Sequence, residues 1–488
     1  MPSNVTDGLA LQARERPYAV AVLARGQPVH FATLERAVRR AAAVFAAQGV
    51  TPGQTVGLTF GRPLWHLVVA LALARMGAVQ VALAPTDPPA MRRAMARELG
   101  VALVASDMAD AGEAGLPVLH PDPAWLAKAG ELAPGPRHEG GCEPFMICHS
   151  SGTTGSRKAF MLSHAEMLAR WRRHPAATAV RAGDVFFSPA RLDFATCKSA
   201  LFWCLEQGAT IVFDQCASSE DLAGILDRHQ ITWAVITPNG LAGLVRLAGG
   251  SDAVRFPHLR VLTVGGSIVP DGLRRAALER VSRNLLVSYG TNDAGIIAQA
   301  VGEETLRHPA TVGRALDGVS WQIVDAQDRP VNPGTPGQLR VAGAGVVMAY
   351  ADARTTARAV RGGWLYPGDV LSADGEGRLT FHGRSDDMMI FDGINIFPAE
   401  VEGVLLDHPA VREAAAFPLS RLAGDQLPLA AVVAHGHVEE EALLAHCRDR
   451  LGLRAPRRVM ILDALPRNVD GKILKRDLAA RFSPRGGA

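Results

Sequence analysis

The run His149-Ser150-Ser151-Gly152-Thr153-Thr154-Gly155-Ser156-Arg157-Lys158 places hydroxyls, glycines and a lysine directly after the apolar stretch Phe145–Cys148. Glycines let the backbone turn tightly and aim its amides at an anion. Hydroxyls add donors and the lysine adds charge, which is the chemistry of a phosphate-cradling loop. It is not a Walker A loop: only two residues separate Gly152 from Gly155, and Lys158 comes three positions later. An ordinary Ser/Thr/Gly surface loop is the alternative. A second cluster, Ser288-Tyr289-Gly290-Thr291-Asn292-Asp293-Ala294-Gly295, also closes an apolar run. It offers an aromatic face, polar side chains and a carboxylate where nucleotides bind at the carboxyl edge of a sheet. The alternative is a turn in which Asp293 caps a following helix.

Two more clusters carry chemistry. Asp369, in Trp364-Leu365-Tyr366-Pro367-Gly368-Asp369, precedes Arg384 of Gly383-Arg384-Ser385-Asp386-Asp387 by fifteen residues. A carboxylate held in a turn accepts both hydroxyls of a ribose and a nearby arginine orients them; a turn with a surface ion pair is the simpler reading. Near the C-terminus, Gly471 in Leu465-Pro466-Arg467-Asn468-Val469-Asp470-Gly471-Lys472 gives a tight turn that projects Lys472, unless the segment is only the basic start of a helix.

Of 51 basic residues only five are lysine: Lys128, Lys158, Lys198, Lys472 and Lys475. Where lysine persists in an arginine-biased chain, a compact charge on a flexible stem is the reason to look for. Lys198 falls in Ala190-Arg191-Leu192-Asp193-Phe194-Ala195-Thr196-Cys197-Lys198, where it and Asp193 interrupt an otherwise apolar region.

The elements that must hold these residues follow from periodicity. Short apolar runs at Thr55–Phe60, Val79–Leu83, Ala102–Ala105, Phe145–His149, Val185–Ser188, Thr210–Phe213, Ala234–Thr237, Val261–Val264 and Leu285–Ser288 alternate with helical spacings such as Phe31, Leu34, Val38, Ala41 and Phe45. This alternation predicts an α/β protein with mostly parallel, doubly wound sheets. After Gly337 the chain turns to shorter strands and Gly-rich turns, a β-rich subdomain. A compact α+β segment is predicted from about Asp387: helix Pro398–Leu406, strands Glu413–Pro418 and Pro428–Ala434, helix Glu439–Leu451 and strand Val459–Leu462. The expected boundaries are a large domain over 1–383, a hinge at 384–386 and a small domain over 387–488.

Composition narrows the function. In 488 residues, 48% hydrophobic and 20% charged, a sizeable core is affordable and extensive disorder is excluded. A net charge of +3 argues against a nucleic-acid surface. Six cysteines without a Cys-x-x-Cys pair give neither a disulfide framework nor a zinc site, and a reducing compartment is expected. The most apolar stretch, Leu67–Ala84, is broken by Arg75 and Gln80 and falls short of the ~20 clean residues of a membrane span. With no signal peptide evident at the N-terminus, a cytoplasmic protein is expected.

The four clusters in this order and spacing resemble the adenylate-forming superfamily of acyl/aryl-CoA synthetases, peptide-synthetase adenylation domains and luciferases. The resemblance covers nearly the whole chain. It includes Gly265-Gly266-Ser267, Gly337-Gln338-Leu339 through Ala349-Tyr350, and Gly393-Ile394-Asn395-Ile396-Phe397-Pro398-Ala399-Glu400-Val401-Glu402. It implies ATP-dependent activation of a carboxylic acid to an acyl-adenylate, then transfer to a thiol. CoA is the favoured acceptor and the phosphopantetheine of a separate carrier protein the alternative. A non-catalytic nucleotide-binding protein on this fold is a minor one.

The resemblance also implies roles. Ser150, Ser151, Gly152, Thr153, Thr154, Gly155 and Lys158 would close over the ATP β/γ-phosphates. Gly265, Gly266 and Tyr289 would flank adenine, with Gly290 and Thr291 in the same nucleotide loop. Asp369 would hold the ribose with Arg384 beside it, and Asn292 would contact the α-phosphate. Asp293 would bind Mg2+, Asp386 would be the hinge, and Lys472 would reach the carboxylate and α-phosphate. Asp193, Phe194 and Lys198 would line the acyl pocket. The sequence departs from the family pattern at Arg157 (usually proline), Ala159 (glycine), Asn292 (threonine) and Asp293 (glutamate). A homodimer is retained as an assembly; no nucleic acid or membrane span is expected.

Overall fold

The computed structural model describes residues 3–108, 115–126, 136–150, 158–249, 253–308, 310–391, 394–420, 426–467 and 473–482. The first sheet takes up the strand–helix alternation with β1 (Thr55–Thr59), α1 (Pro63–Met76), β2 (Val79–Ala82) and β3 (Leu103–Ser106), and β1 pairs in parallel with both β2 and β3. The sequence of α1 is apolar on every side, so the helix is buried all round rather than on one stripe. Pro63 starts it, and Gly77, at φ 79°, ends it. Its Arg75 is kept inside by an ion pair with Glu35 at 2.8 Å.

β4 (Pro144–Ser150) joins β2 in parallel and returns as the antiparallel β5 (Lys158–Ser163), with Ser150 opposite Lys158. Lys158 is the first residue of its strand. Helix α2 (His164–Arg172) follows at once, started by a capping box: Ser163 Oγ accepts from the Glu166 amide while Glu166 accepts from the Ser163 amide.

The second sheet has 15 strands. Its parallel part contains β6 (Val185–Phe187), β7 (Thr210–Phe213), β8 (Trp233–Ile236), β9 (Val261–Val264) and β10 (Leu285–Thr291), with α3 (Ala195–Gln207) crossing from β6 to β7. The expectation of mostly parallel sheets holds as far as β10. Beyond it the sheet runs antiparallel through β11 (Gly295–Val301), β12 (Gly337–Ala342), β13 (Asp369–Ala373) and β14 (Arg378–Arg384). No helix follows Asp293, which sits in the turn between β10 and β11, so the helix-cap alternative fails.

The remaining chain is a smaller domain with cores of its own, built from residues such as Met389, Val401, Leu405, Val432 and Val459 and, on the other face, Phe417, Leu429 and Leu478. Helix α4 (Pro398–Leu406) and α5 (Glu440–Leu451) pack with the sheet β15 (Val411–Ser420), β16 (Gln426–Ala434) and β17 (Arg458–Ile461). Each fully buried Leu, Val or Phe contributes roughly 1.5–3 kcal/mol, which explains how so short a segment holds together. Among the described residues no helix is long and apolar enough to cross a membrane.

Candidate active site

The turn from β10 to β11 is tied on every side. Gly290 is obligatory there, since a Cβ would lie 2.3 Å from the Gly295 carbonyl oxygen. Thr291 Oγ1 donates to Asp293 Oδ1 at 2.5 Å and accepts from the Ala294 amide at 3.2 Å. Tyr350 Oη donates to the other carboxylate oxygen, Asp293 Oδ2. Asn292 Nδ2 donates to the His149 carbonyl at 3.0 Å, joining this turn to the end of β4 where the phosphate-loop sequence begins. A threonine is too short for the same reach, which gives the amide at 292 a structural reason.

Asp369, at the start of β13, is the centre of a second knot. Tyr289 Oη donates to Asp369 Oδ2 at 2.6 Å, and Arg384 Nη1 donates to Oδ1 at 3.0 Å and to the Pro367 carbonyl at 2.8 Å. Arg384 Nε also donates to Asp386 Oδ1 at 3.2 Å. Burial pushes the Asp369 carboxyl up against the opposing pull of Arg384, and burial together with Asp369 holds the Tyr289 hydroxyl firmly protonated. The Tyr289 ring lies against Phe381, their centroids 5.7 Å apart.

The residues expected to line the acyl pocket gather at the N-terminal end of α3. Phe194 is its N-cap residue and Lys198 lies one turn in. Lys198 is 2% exposed and donates from Nζ to Gln80 Oε1 at 2.8 Å; Gln80 in turn donates to the Ala70 carbonyl on α1 at 3.1 Å. Burial lowers the Lys198 ammonium to about 8. Asp193 is paired with Arg191 at 2.5 Å, while its Oδ1 and the His66 Nε2 are buried without a hydrogen-bond partner. Burial, then Lys198, holds His66 neutral. Asp193 and Lys198 thus bond neighbours rather than each other.

Some of these groups meet in one cleft of about 1240 Å³. Gly265, Gly266, Asn292, Asp193, Phe194 and Lys198 line it from the large domain, and Glu402, Arg467, Ile473 and Lys475 from the small one. Tyr289, Asp369 and Arg384 lie outside this lining, linked to one another as a separate knot. Residues Ser151, Gly152, Thr153, Thr154, Gly155 and Lys472 lie outside the described residues, as does the Ser150 side chain.

Tyr350, Gln80 and Arg191 were not singled out for roles by sequence reasoning. Gln80 carried a signal, a lone amide inside an apolar run. Tyr350 carried one only as part of a motif, because its partner Asp293 is 57 residues away. For Mg2+, Asp293 supplies a single carboxylate with hydroxyls on both oxygens, and the described residues contain no cluster of three acidic, His or Cys groups. Such a site fits Mg2+ held mainly by phosphate oxygens and water, not by an all-protein cage.

Residues 9–351 match the family model of AMP-binding enzymes, and residues 400–472 match the model of the AMP-binding enzyme C-terminal domain. The chain belongs to the AMP-binding enzyme family. Within it, the chain is an adenylate-forming acid–thiol ligase, and its named relatives include acyl/aryl-CoA ligases. It is 28% identical to a 4-coumarate–CoA ligase-like protein of Oryza sativa subsp. japonica over 99% of this chain and 93% of that one. It is also 28% identical to an indoleacetate–CoA ligase of Aromatoleum aromaticum, over 73% and 70%. Among solved structures, the o-succinylbenzoate CoA synthetase of Bacillus subtilis in complex with its acyl-adenylate intermediate is 25% identical, with a TM-score of 0.87 over 100% of this chain and 99% of that one.

Proposed function

We propose that the cleft between the two domains activates a small polar or aromatic carboxylic acid, amino acids included, as its acyl-adenylate and passes the acyl group to CoA. The observation that carries this reading is the Asn292–His149 bond, which ties the Asp293 turn to the mouth of the phosphate-loop sequence within the cleft that Lys198 and Asp193 also line.

In this reading the substrate carboxylate attacks the α-phosphorus of ATP. An acyl–oxygen–phosphorus bond forms and the bond to pyrophosphate breaks. Ser150 to Lys158 enclose the β/γ-phosphates, Gly265, Gly266 and Tyr289 flank the adenine, and Asp369 with Arg384 receives the ribose. Asn292 donates to the α-phosphate, and Lys472 brings its charge to the phosphate and carboxylate as charge shifts between them. These groups act by position and electrostatics. Bound at Asp293, Mg2+ would neutralise phosphate charge. A thiolate then attacks the acyl carbonyl, forming the thioester and releasing AMP.

One lysine serves the first step only, which is the reason for a hinge. We place the domains at 1–383 and 387–488 with the hinge at 384–386. Arg384 closes the large sheet, Met389 already belongs to the small-domain core, and the Arg384–Asp386 contact spans the joint. Six free thiols support a reducing, cytoplasmic setting.

The test is pyrophosphate and AMP release across a panel of carboxylates, with and without CoA. Acid-dependent AMP and pyrophosphate, with a thioester only when CoA is present, supports the reading. Adenylate that accumulates in CoA's presence points to a carrier protein as acceptor, and ADP as product would contradict it.

A further inference from the structure

The strongest set of contacts that the reaction scheme does not use comes from two arginines one turn apart on α2 and just beyond it. Arg170 donates from Nε to the Gly345 carbonyl at 2.8 Å, from Nη1 to the Asn292 carbonyl at 3.0 Å and from Nη2 to the Asp293 carbonyl at 2.8 Å. Arg173 donates from Nη1 to the Ala294 carbonyl at 2.9 Å and from Nη2 to the Ala344 carbonyl. Three consecutive carbonyls of the β10–β11 turn and two of the loop after β12 are gathered onto this pair.

The rest of the local sequence accommodates it. A Cβ on Gly295 would come within 3.1 Å of Arg170 Cδ, and one on Gly345 within 3.0 Å of Arg170 Cγ. Both glycines have positive φ, 73° and 86°. Arg173 is only 5% exposed, and burial lowers its guanidinium to about 10. Desolvating a guanidinium to bond backbone carbonyls is costly, so the position of those carbonyls must matter. The loop after β12 also leads to Tyr350, whose hydroxyl holds the Asp293 carboxylate. The Asp293 backbone and side chain are thereby fixed through the same two segments. Helix α2 is anchored at its other end by the capping box at the close of the β4–β5 hairpin.

Resting on the proposed function, we infer that Arg170 and Arg173 are positioning residues that set the distance between the Asp293 carboxylate and the phosphates of ATP. Neither lines the cleft. Arg170→Lys keeps the charge but reaches one carbonyl instead of three, because an ammonium lacks the planar fork. A displacement of about 1 Å is enough to cost on the order of a hundredfold in a positioned site.

The experiment is calorimetric titration with ATP, in Mg2+ and separately in EDTA, of the wild-type chain, Arg170→Lys, Arg170→Met and Arg173→Met, with thermal unfolding of each. Wild type should bind ATP more tightly in Mg2+. The variants should keep the EDTA affinity within about twofold and lose about tenfold of the Mg2+ affinity, with Arg170→Lys unfolding near the wild-type temperature. Equal losses in the two conditions, or wild-type affinities in both, would overturn the inference. A Met variant that fails to fold leaves the Lys variant to decide it by the same criterion. Failure of wild type to bind ATP at all removes the proposed function, and this inference with it.

Discussion

The β10–β11 turn and the acyl wall on α3 face the same cleft but are built on opposite terms. At the turn both Asp293 oxygens, the Asn292 Nδ2 and the carbonyls of residues 292, 293 and 294 have protein partners. At the wall, charge is buried and left half satisfied. Lys198 bonds Gln80, while Asp193 Oδ1 has no hydrogen-bond partner. A saturated network holds one geometry, whereas an incomplete one is destabilising until something completes it. On the proposed function, the difference separates what the protein fixes in advance, the end assigned to the nucleotide, from what a substrate would finish.

Removing the lysine charge proposed for the first step should have the largest effect. Lys472→Ala should reduce acyl-adenylate formation by about three orders of magnitude or more, at 1.36 kcal/mol of barrier per tenfold, while sparing thioester formation from supplied adenylate. Quench-flow assays of the two half-reactions check this, and equal loss in both would remove the assignment.

The proposed hinge comes next. Asp386→Pro fixes φ near −65° and should trap one domain orientation, slowing one half-reaction about tenfold more than the other. Unchanged rates in both would put the hinge elsewhere.

The wall gives a smaller effect with a definite sign. The folded-state value of Lys198 is about 8 against 10.5 for the free group. Below pH 8 both folded and unfolded chains carry the proton, so the full cost of burying the charge, about 3 kcal/mol, is present. As pH rises from 8 to 10.5 the folded chain is neutral first and the cost disappears. Lys198→Met should therefore be more stable than wild type below pH 8, by up to that amount less the unpaired Gln80 amide, with the gap closing by pH 10.5. Urea unfolding at a series of pH values measures it, and a gap that widens with pH would contradict the burial argument.

Much of this molecule was legible because local rules governed it. Strands Thr210–Phe213 and Val261–Val264 and helix Pro398–Leu406 were read to the residue from periodicity, Gly and Pro. The turn at Asp293 was found by composition, but its setting between antiparallel strands was not, since nothing local announces the change of direction after β10. The Lys198–Gln80 bond spans 118 residues, and Arg170 reaches the Gly345 carbonyl across 175. Backbone carbonyls carry no residue-type signal, so an arginine clamp on them is invisible until the chain is folded.

The central claim, that the substrate completes the acyl wall, is tested most directly by kcat/KM for acids with polar tails against long-chain fatty acids in wild type, Asp193→Ala and Lys198→Ala. The expected result is a strong wild-type preference for a polar-tailed acid that shrinks about tenfold or more in at least one variant, the equivalent of about 1.4 kcal/mol. Efficient turnover of a long-chain fatty acid, with both substitutions harmless, would contradict it.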